Sequence, residues 1–140
     1  MDNILEFGKQ VLAAQPFNRL IGAELIAFRS GYAELSIGIQ PDLLQQHGSV
    51  HGGVLSYAAD NALTFAGGSV LGPHVVTAGY TINYLKAARS GSLTARASVV
   101  SKTTRQAVCR CDIWNITEQE EVLCAVAQGT IITLAVPSQA

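Results

Sequence analysis

The sequence predicts an α+β fold in which a curved antiparallel sheet wraps one long central helix. Three observations support this prediction. A glycine-rich stretch at residues 48–53 leads into small and apolar residues at helical spacing, which end near Gly67-Gly68. Two strand-like segments precede this helix, and four longer ones follow it. Runs of strands joined by turns favour antiparallel pairing, so one helix and one sheet account for most of the chain.

The segments before the central helix begin with a short amphipathic helix and continue into a hairpin. The predicted elements are a helix at Asp2–Ala14 that Gln15-Pro16 ends, a turn at Phe17–Leu20, strands at Ile21–Arg29 and Tyr32–Ile39 joined by Ser30-Gly31, and a helical turn or loop from Pro41 to Leu44.

The segments after the central helix are four long strands. They are predicted at Val75–Leu85, Ser92–Lys102, Gln106–Ile116 and Val122–Leu134, and the tail Pro137–Ala140 is expected to fray. Strict alternation in the first of these strands places Thr77, Gly79, Thr81 and Asn83 on one face, and Val76, Ala78, Tyr80, Ile82 and Tyr84 on the other.

Length and composition indicate one domain over residues 1–140, with an N-terminal helix at 1–15 and a core at 17–134. The apolar fraction of 49% against 14% charged residues is high for a small monomer, so we expect apolar surface buried between subunits. A net charge of −1 without a basic stripe argues against a nucleic-acid partner. No signal peptide or apolar run of membrane-spanning length is visible, and a cytoplasmic protein is expected.

Three cysteines occur, at positions 109, 111 and 124. Cys109 and Cys111 would point to the same side of a strand, which is half of a metal site. Because no second Cys or His pair has suitable spacing, we predict buried free thiols and no metal or cofactor.

Asp60 is the unusual residue of the central helix. It lies among alanines and leucines, and it shares one helix face with Ser56 and Thr64. This face is either exposed to solvent, or it holds a carboxylate in a dry cleft with Thr64 orienting it or a water molecule. The backbone N–H groups of Gly52-Gly53, at the start of the helix, form a candidate site for stabilising negative charge.

The spacing between these two features predicts a dimer. Gly52 and Asp60 are eight residues apart, or about 12 Å of helix. A reacting carbonyl must lie roughly 3 Å from both its oxyanion donor and the attacking group. One helix cannot supply both, but two antiparallel copies across a two-fold axis can, which makes a homodimer the expected active unit.

The segment Gly48-Ser49-Val50-His51-Gly52-Gly53, followed by Asp60 and Thr64, resembles the hotdog-fold acyl-CoA thioesterases of the phenylacetate-pathway (PaaI-like) group. It also resembles the 4-hydroxybenzoyl-CoA thioesterases that have a carboxylate on the central helix. The resemblance extends from about Phe17 to Leu134 and includes the strand Val76–Leu85.

The resemblance implies a catalytic role for five residues. The Gly52 amide would polarise the thioester carbonyl, and Asp60 would be the nucleophile or the general base. Gln45 would hydrogen-bond near the thioester, and Thr64 would help to position water. His51 is expected to hold the loop rather than to transfer protons.

The resemblance also implies a substrate-binding set, which consists of Gly53, Asn61, Thr77, Lys86 and Arg89. After Tyr84-Leu85-Lys86, relatives often have Arg-Pro and then Gly-Asp, and this chain has residues 87–92 (AARSGS) instead. Lys86, Arg89 and Lys102 are therefore either partners of the coenzyme A phosphates or ordinary solvated cations.

The function expected from this resemblance is hydrolysis of aryl or short- to medium-chain acyl-CoA thioesters by a homo-oligomer, either a dimer or a dimer of dimers. The alternatives are a hotdog hydratase or dehydratase acting on enoyl thioesters, and a non-catalytic acyl-CoA-binding protein. Aromatic residues could line an acyl pocket or simply pack the core, namely Tyr57, Phe65, Tyr80 and Tyr84.

Overall fold

A computed structural model describes residues 3–135 of the chain. The helices are α1 Asn3–Ala13, α2 Asn18–Ile21 and α3 Gly52–Leu71, with a 3₁₀ turn at Pro41–Leu43. The strands are β1 Glu24–Arg29, β2 Tyr32–Gly38, β3 Val75–Tyr84, β4 Ser92–Lys102, β5 Gln106–Ile116 and β6 Glu121–Thr133. The predicted helix start at Asp2 and the tail from Pro137 lie outside the described residues.

The six strands form one antiparallel sheet in the order β1-β2-β4-β5-β6-β3. The sheet curves around α3, which packs against all six strands. This confirms the predicted α+β class and the arrangement of helix and sheet. Since β3 is paired only with β6, it leaves one edge of the described sheet free, directly beside α3.

The centre of the core is the contact of α3 with the middle strands. Ala59, Ala62, Leu63 and Ala66 are fully buried on α3. Small residues let the helix approach the sheet closely, and Leu63 fills the remaining space. The three cysteines are also buried and free, as predicted. No helix in the described part of the chain is long and apolar enough to cross a membrane.

The predicted end of the central helix at Gly67-Gly68 is wrong, because α3 continues to Leu71. A Cβ on Gly67 would lie 2.7 Å from two side-chain atoms of Ile131 on β6. Gly67 is therefore explained by close packing of the helix on the sheet, rather than by a break. The helix ends at Gly72, which has a φ of 99°.

The segment around Phe17 also differs from its prediction. Asn18–Ile21 is a short helix that ends at Gly22 in the left-handed conformation, and β1 begins at Glu24 instead of Ile21. The Asn18 side chain accepts a hydrogen bond from the Ala23 amide and donates one to the Ala23 carbonyl, both at 3.0 Å. This local pairing competes with the strand backbone and delays the start of β1.

The strict alternation predicted for β3 is wrong, because a β-bulge interrupts it. Thr77 pairs with Ile131 and Gly79 with Thr130, which leaves Ala78 as an extra residue. The bulge turns Thr77 and Tyr80 towards the same face, although they are three residues apart. Opposite the bulge, a Cβ on Gly129 would lie 2.5 Å from the Tyr80 Cβ. A glycine at position 129 thus leaves room for the bulged strand.

Candidate active site

The polar groups of α3 and β3 meet along one line, which we call the α3–β3 seam. It consists of Gly52, Ser56, Asp60 and Thr64 on the helix and Thr77, Tyr80 and Tyr84 on the strand. Tyr84 Oη donates a hydrogen bond to the Gly52 carbonyl at 3.2 Å, and the Tyr80 hydroxyl bonds to the Ser56 hydroxyl. Because the core on the other side of α3 is apolar, the seam holds the polar side chains that are candidates for chemistry.

The Asp60 carboxylate is half-buried and is held by two threonines. Thr77 Oγ1 donates to Asp60 Oδ1 at 2.6 Å, and the Thr64 and Thr77 hydroxyls are 2.7 Å apart. Each hydroxyl has one proton, and an ionised carboxylate has none. Thr64 Oγ1 also lies 2.7 Å from the Asp60 backbone carbonyl, which can only accept a hydrogen bond. With the Thr77 proton on Asp60, the single Thr64 proton serves two acceptors, the Asp60 carbonyl and Thr77 Oγ1.

The N-terminus of α3 is capped by His51. Its Nδ1 accepts a hydrogen bond from the Gly53 amide at 2.8 Å, which is the structural role that the sequence favours for His51. The expectation that both glycine amides are free is therefore wrong for Gly53. Within residues 3–135, the Gly52 amide makes no hydrogen bond. It is the available donor at the positive end of the helix dipole.

The loop before α3 is braced from within by Gln45. Its Nε2 donates to Ser49 Oγ at 2.6 Å, and its Oε1 accepts from the His47 amide at 3.2 Å. Arg89 Nη1 donates to the His47 carbonyl at 3.1 Å, which joins the loop after β3 to the glycine-rich loop. Gln45, from within the loop, and Arg89, from the loop after β3, thus both brace the segment that leads directly to Gly52.

The remaining predicted residues are distributed between the two ends of α3. Lys86 follows β3 near the Gly52 end and is exposed. Lys102, by contrast, places its Nζ 3.5 Å from the Val70 carbonyl at the last turn of α3. Residues 52 and 70 are separated by about 27 Å of helix, so Lys102 lies far from the Gly52 amide.

Asn61 does not share the face of Asp60. Its side chain is buried and exchanges hydrogen bonds of 3.2 and 3.3 Å with the side chain of Gln15, which follows α1. Tyr57, one turn earlier, donates to Asn18 Oδ1 at 2.9 Å. Burial and the nearby Asp60 charge raise the pKa of Tyr57, so its hydroxyl stays protonated as a donor.

Sequence reasoning missed the roles of Tyr80 and Gln15 in this region. The alternation of β3 places Tyr80 away from Thr77, and only the bulge brings both to α3. An extra residue at Ala78 has no local pattern in the sequence, although the glycines at 79 and 129 are compatible with it. Among residues 3–135, no group of three or more His, Cys, Asp or Glu side chains is placed to hold a metal ion.

Comparison with known proteins identifies the family to which this fold belongs. A model of the Thioesterase superfamily matches residues 47–122, more than half of the chain. The matched region includes the glycine-rich loop, α3 and β3. The chain therefore belongs to the Thioesterase superfamily and has the hotdog fold.

Individual relatives agree with this assignment. The chain is 26% identical over 140 residues to the medium/long-chain acyl-CoA thioesterase YigI of Salmonella typhimurium, with 88% of each protein covered. Its structure matches a thioesterase family protein from Silicibacter pomeroyi with a TM-score of 0.86 and 27% identity, covering 91% of this chain and 95% of that one. The PaaI protein of the E. coli phenylacetic acid degradation operon matches with a TM-score of 0.78 and 25% identity, covering 94% and 96%.

Proposed function

We propose that this protein hydrolyses acyl-CoA thioesters, with Asp60 as the nucleophile or general base. The supporting observation is the half-buried Asp60 carboxylate, which is oriented through one oxygen by Thr77. Within residues 3–135, its second oxygen makes no hydrogen bond. That oxygen is available either to attack a carbonyl or to take a proton from water.

The Gly52 amide is proposed as the oxyanion donor. It is the uncommitted donor at the start of α3, and the helix dipole favours negative charge there. Gly52 and Asp60 of one protomer are about 12 Å apart along the helix. We therefore propose that each site combines Asp60 of one protomer with Gly52 of a second. The free edge of β3, next to the seam, supports such a pairing.

The other site residues receive roles consistent with their contacts. Gln45 and His51 hold the loop that presents the Gly52 amide. Thr64 holds Thr77, which in turn orients Asp60. Gly53 keeps space beside His51, because a Cβ there would lie 2.9 Å from His51 Nδ1. Lys86 and Arg89, at the Gly52 end of α3, are the candidates to contact the coenzyme A phosphates, and Asn61 belongs to the acyl side.

Release of free thiol from a panel of acyl-CoA substrates tests the reaction. Hydrolysis by the wild-type protein and its loss in Asp60→Asn are the expected results. Binding of acyl-CoA without thiol release would support the binding-protein alternative. Loss of conjugation in an enoyl-CoA, again without thiol release, would support the hydratase alternative. Either result would overturn the proposal.

The two-protomer site has a sharper test, which uses Gly52→Pro. Proline lacks the backbone N–H, and it is well tolerated at the first residue of a helix. The preceding His51, with φ −59° and ψ 135°, already has the extended conformation that a following proline requires. Gly52→Ala is the matched control, since it adds a Cβ near Tyr84 but keeps the amide.

Mixing the two inactive variants then distinguishes a shared site from a single-chain site. A dimer of one Asp60→Asn and one Gly52→Pro protomer contains one doubly altered site and one intact site. Random association should restore about a quarter of wild-type activity, since half of the dimers are mixed and each has one working site. If mixed dimers form and no activity returns, the proposal of a shared site is wrong.

A further inference from the structure

The structure contains an apolar cavity of about 420 Å³ between α1 and α3. Ile4, Phe7 and Val11 line it from α1, at the spacing of one helix face. Phe65 of α3 and Phe28 of β1 form an edge-on aromatic pair in its wall, with ring centres 5.4 Å apart. A cavity of this size and apolar lining is typical of a small-molecule site.

The cavity borders the α3–β3 seam at Thr64. This residue lines the cavity, and its hydroxyl also bonds to Thr77 beside Asp60. On α3, the lining positions run from Asn61 to the helix end. On the opposite side they run back from Gln15, which follows α1, to Ile4. Because Gln15 and Asn61 are hydrogen-bonded, the C-terminal end of α1 lies at the Asp60 end of the cavity.

Contacts within residues 3–135 leave the three apolar α1 residues that line the cavity, here called the α1 wall, partly exposed to solvent. Phe7 is 50% exposed, Val11 39% and Ile4 37%, although they lie on the face that α1 turns towards the cavity. Three partly exposed apolar side chains along one wall leave apolar surface in contact with water. An apolar ligand in the cavity would cover that surface.

We infer that this cavity holds the acyl chain of the substrate, and that α1 sets the accepted chain length. The inference rests on the proposed acyl-CoA hydrolysis. A reacting carbonyl at Asp60 would send its chain past Thr64 and then along Phe65, towards the Ile4 end of α1. The occupant is an unbranched apolar acyl group, since the cavity lies lengthwise between two helix faces.

The size of the cavity limits the chain. Ile4 and Val11 are seven residues apart, or about 10 Å along α1. A fully extended chain advances about 1.2 Å per bond, so this wall spans roughly eight or nine bonds. A medium-length chain, such as octanoyl or decanoyl, therefore fits the cavity.

Tryptophan substitutions at two depths test this assignment. Val11→Trp would fill the cavity near its Asp60 end, and Ile4→Trp would fill only the far end. The measured quantity is kcat/KM for butyryl-, octanoyl-, decanoyl- and palmitoyl-CoA. Val11→Trp should lower the ratio of octanoyl to butyryl activity by about tenfold or more, since each displaced methylene is worth at least about that factor. Ile4→Trp should lower the decanoyl and palmitoyl values and affect octanoyl less.

Val100→Trp is the matched control. Val100 is 51% exposed on β4 and does not line the cavity, so the same substitution there should leave the chain-length profile unchanged.

Light scattering on each variant shows whether the oligomeric state has changed. An unchanged profile in Val11→Trp, with thiol release intact, would overturn the inference and leave the proposed function standing. A changed oligomeric state with an unchanged profile would show instead that a second copy covers this wall. No thiol release by the wild-type protein from any substrate would reject the proposed function itself.

Discussion

The two sides of α3 follow different physical rules. On the side facing the middle strands, alanines and Leu63 are fully buried, and the fit depends on volume. On the side facing β3, a carboxylate and several hydroxyls are half-buried and joined by directed hydrogen bonds. One helix thus combines a packing face with a candidate catalytic face, because its two faces meet different neighbours. Substitutions on the two sides should therefore change different measurements.

The largest expected effect is on the seam. Asp60→Asn removes the proposed nucleophile or base and should lower kcat by about a thousandfold, within the range for positioned acid–base groups. Because Asp60 is only half-buried and an amide has the same shape, the free energy of unfolding should change by less than ~1 kcal/mol. Thiol-release kinetics and urea unfolding measure the two quantities. Near-full activity would remove Asp60 from the mechanism.

The buried side should show the opposite behaviour. Leu63→Ala leaves a cavity between α3 and the sheet and should cost about 2–5 kcal/mol of unfolding free energy. The activity per folded molecule should stay close to the wild-type value. Leu20→Ala is the control, because Leu20 is 74% exposed. A loss of activity in folded Leu63→Ala larger than that in Asp60→Asn would break the distinction between the two sides.

The adjacent glycines of α3 give a matched pair. Gly67→Ala would push a methyl group into Ile131 and should destabilise the protein by about 1–3 kcal/mol. Gly68→Ala would place its methyl group 3.4 Å from Val75, in ordinary contact, and should stabilise the helix by up to ~1 kcal/mol. Thermal or urea unfolding measures both. Equal effects at the two positions would contradict the close approach of the helix to β6.

Thr77→Val tests the orientation of Asp60. Valine keeps the shape of threonine but removes the hydrogen bond to Asp60 Oδ1, and we expect kcat to fall about tenfold, equivalent to ~1.4 kcal/mol. Thr77→Ser should restore most of this loss, because serine also has a hydroxyl. Thr81→Val, at an exposed position of the same strand, is the control. A similar loss in Thr81→Val would show that the strand, and not the hydrogen bond, is responsible.

The last comparison concerns the thiols behind α3, which act only at alkaline pH. Burial raises the pKa of Cys109 and Cys124 from 9.0 to about 11. The unfolded chain therefore loses these protons first, and their contribution to stability falls as the pH rises from about 9 to about 11. The double variant Cys109→Ala/Cys124→Ala should show a smaller loss of stability over this range than the wild-type protein. Parallel pH profiles would contradict the burial effect.

The sequence predicts the architecture well because periodicity is a local property. Helical spacing from Gly53 onwards and four strand-like segments from Val75 onwards suffice to identify the α+β class and most strand bounds. The least accurate predictions are those in which another element competes with the local pattern. Gly67 is an example, because its close contact with Ile131 depends on a residue 64 positions later in the chain.

The candidate site likewise contains some residues that the sequence predicts and others that only the fold brings to it. The residue types and their spacing on α3 single out Asp60, Thr64 and the Gly52 amide without any knowledge of the sheet. Their partners are not visible in the sequence. The bulge at Ala78 brings Thr77 and Tyr80 to one face, and the fold places Gln15 against Asn61 across 46 residues.

By itself, then, the sequence determined most of the elements that form and which helix face carries the polar candidate residues, because backbone periodicity and burial preference act within a few residues. Only the tertiary structure decided which hydroxyl holds Asp60, which glycine amide stays uncommitted and where an apolar cavity opens beside Thr64. Strand register and the packing of α1 join groups that are far apart in the sequence. The His51 side chain takes the Gly53 amide only once the first turn of α3 has formed.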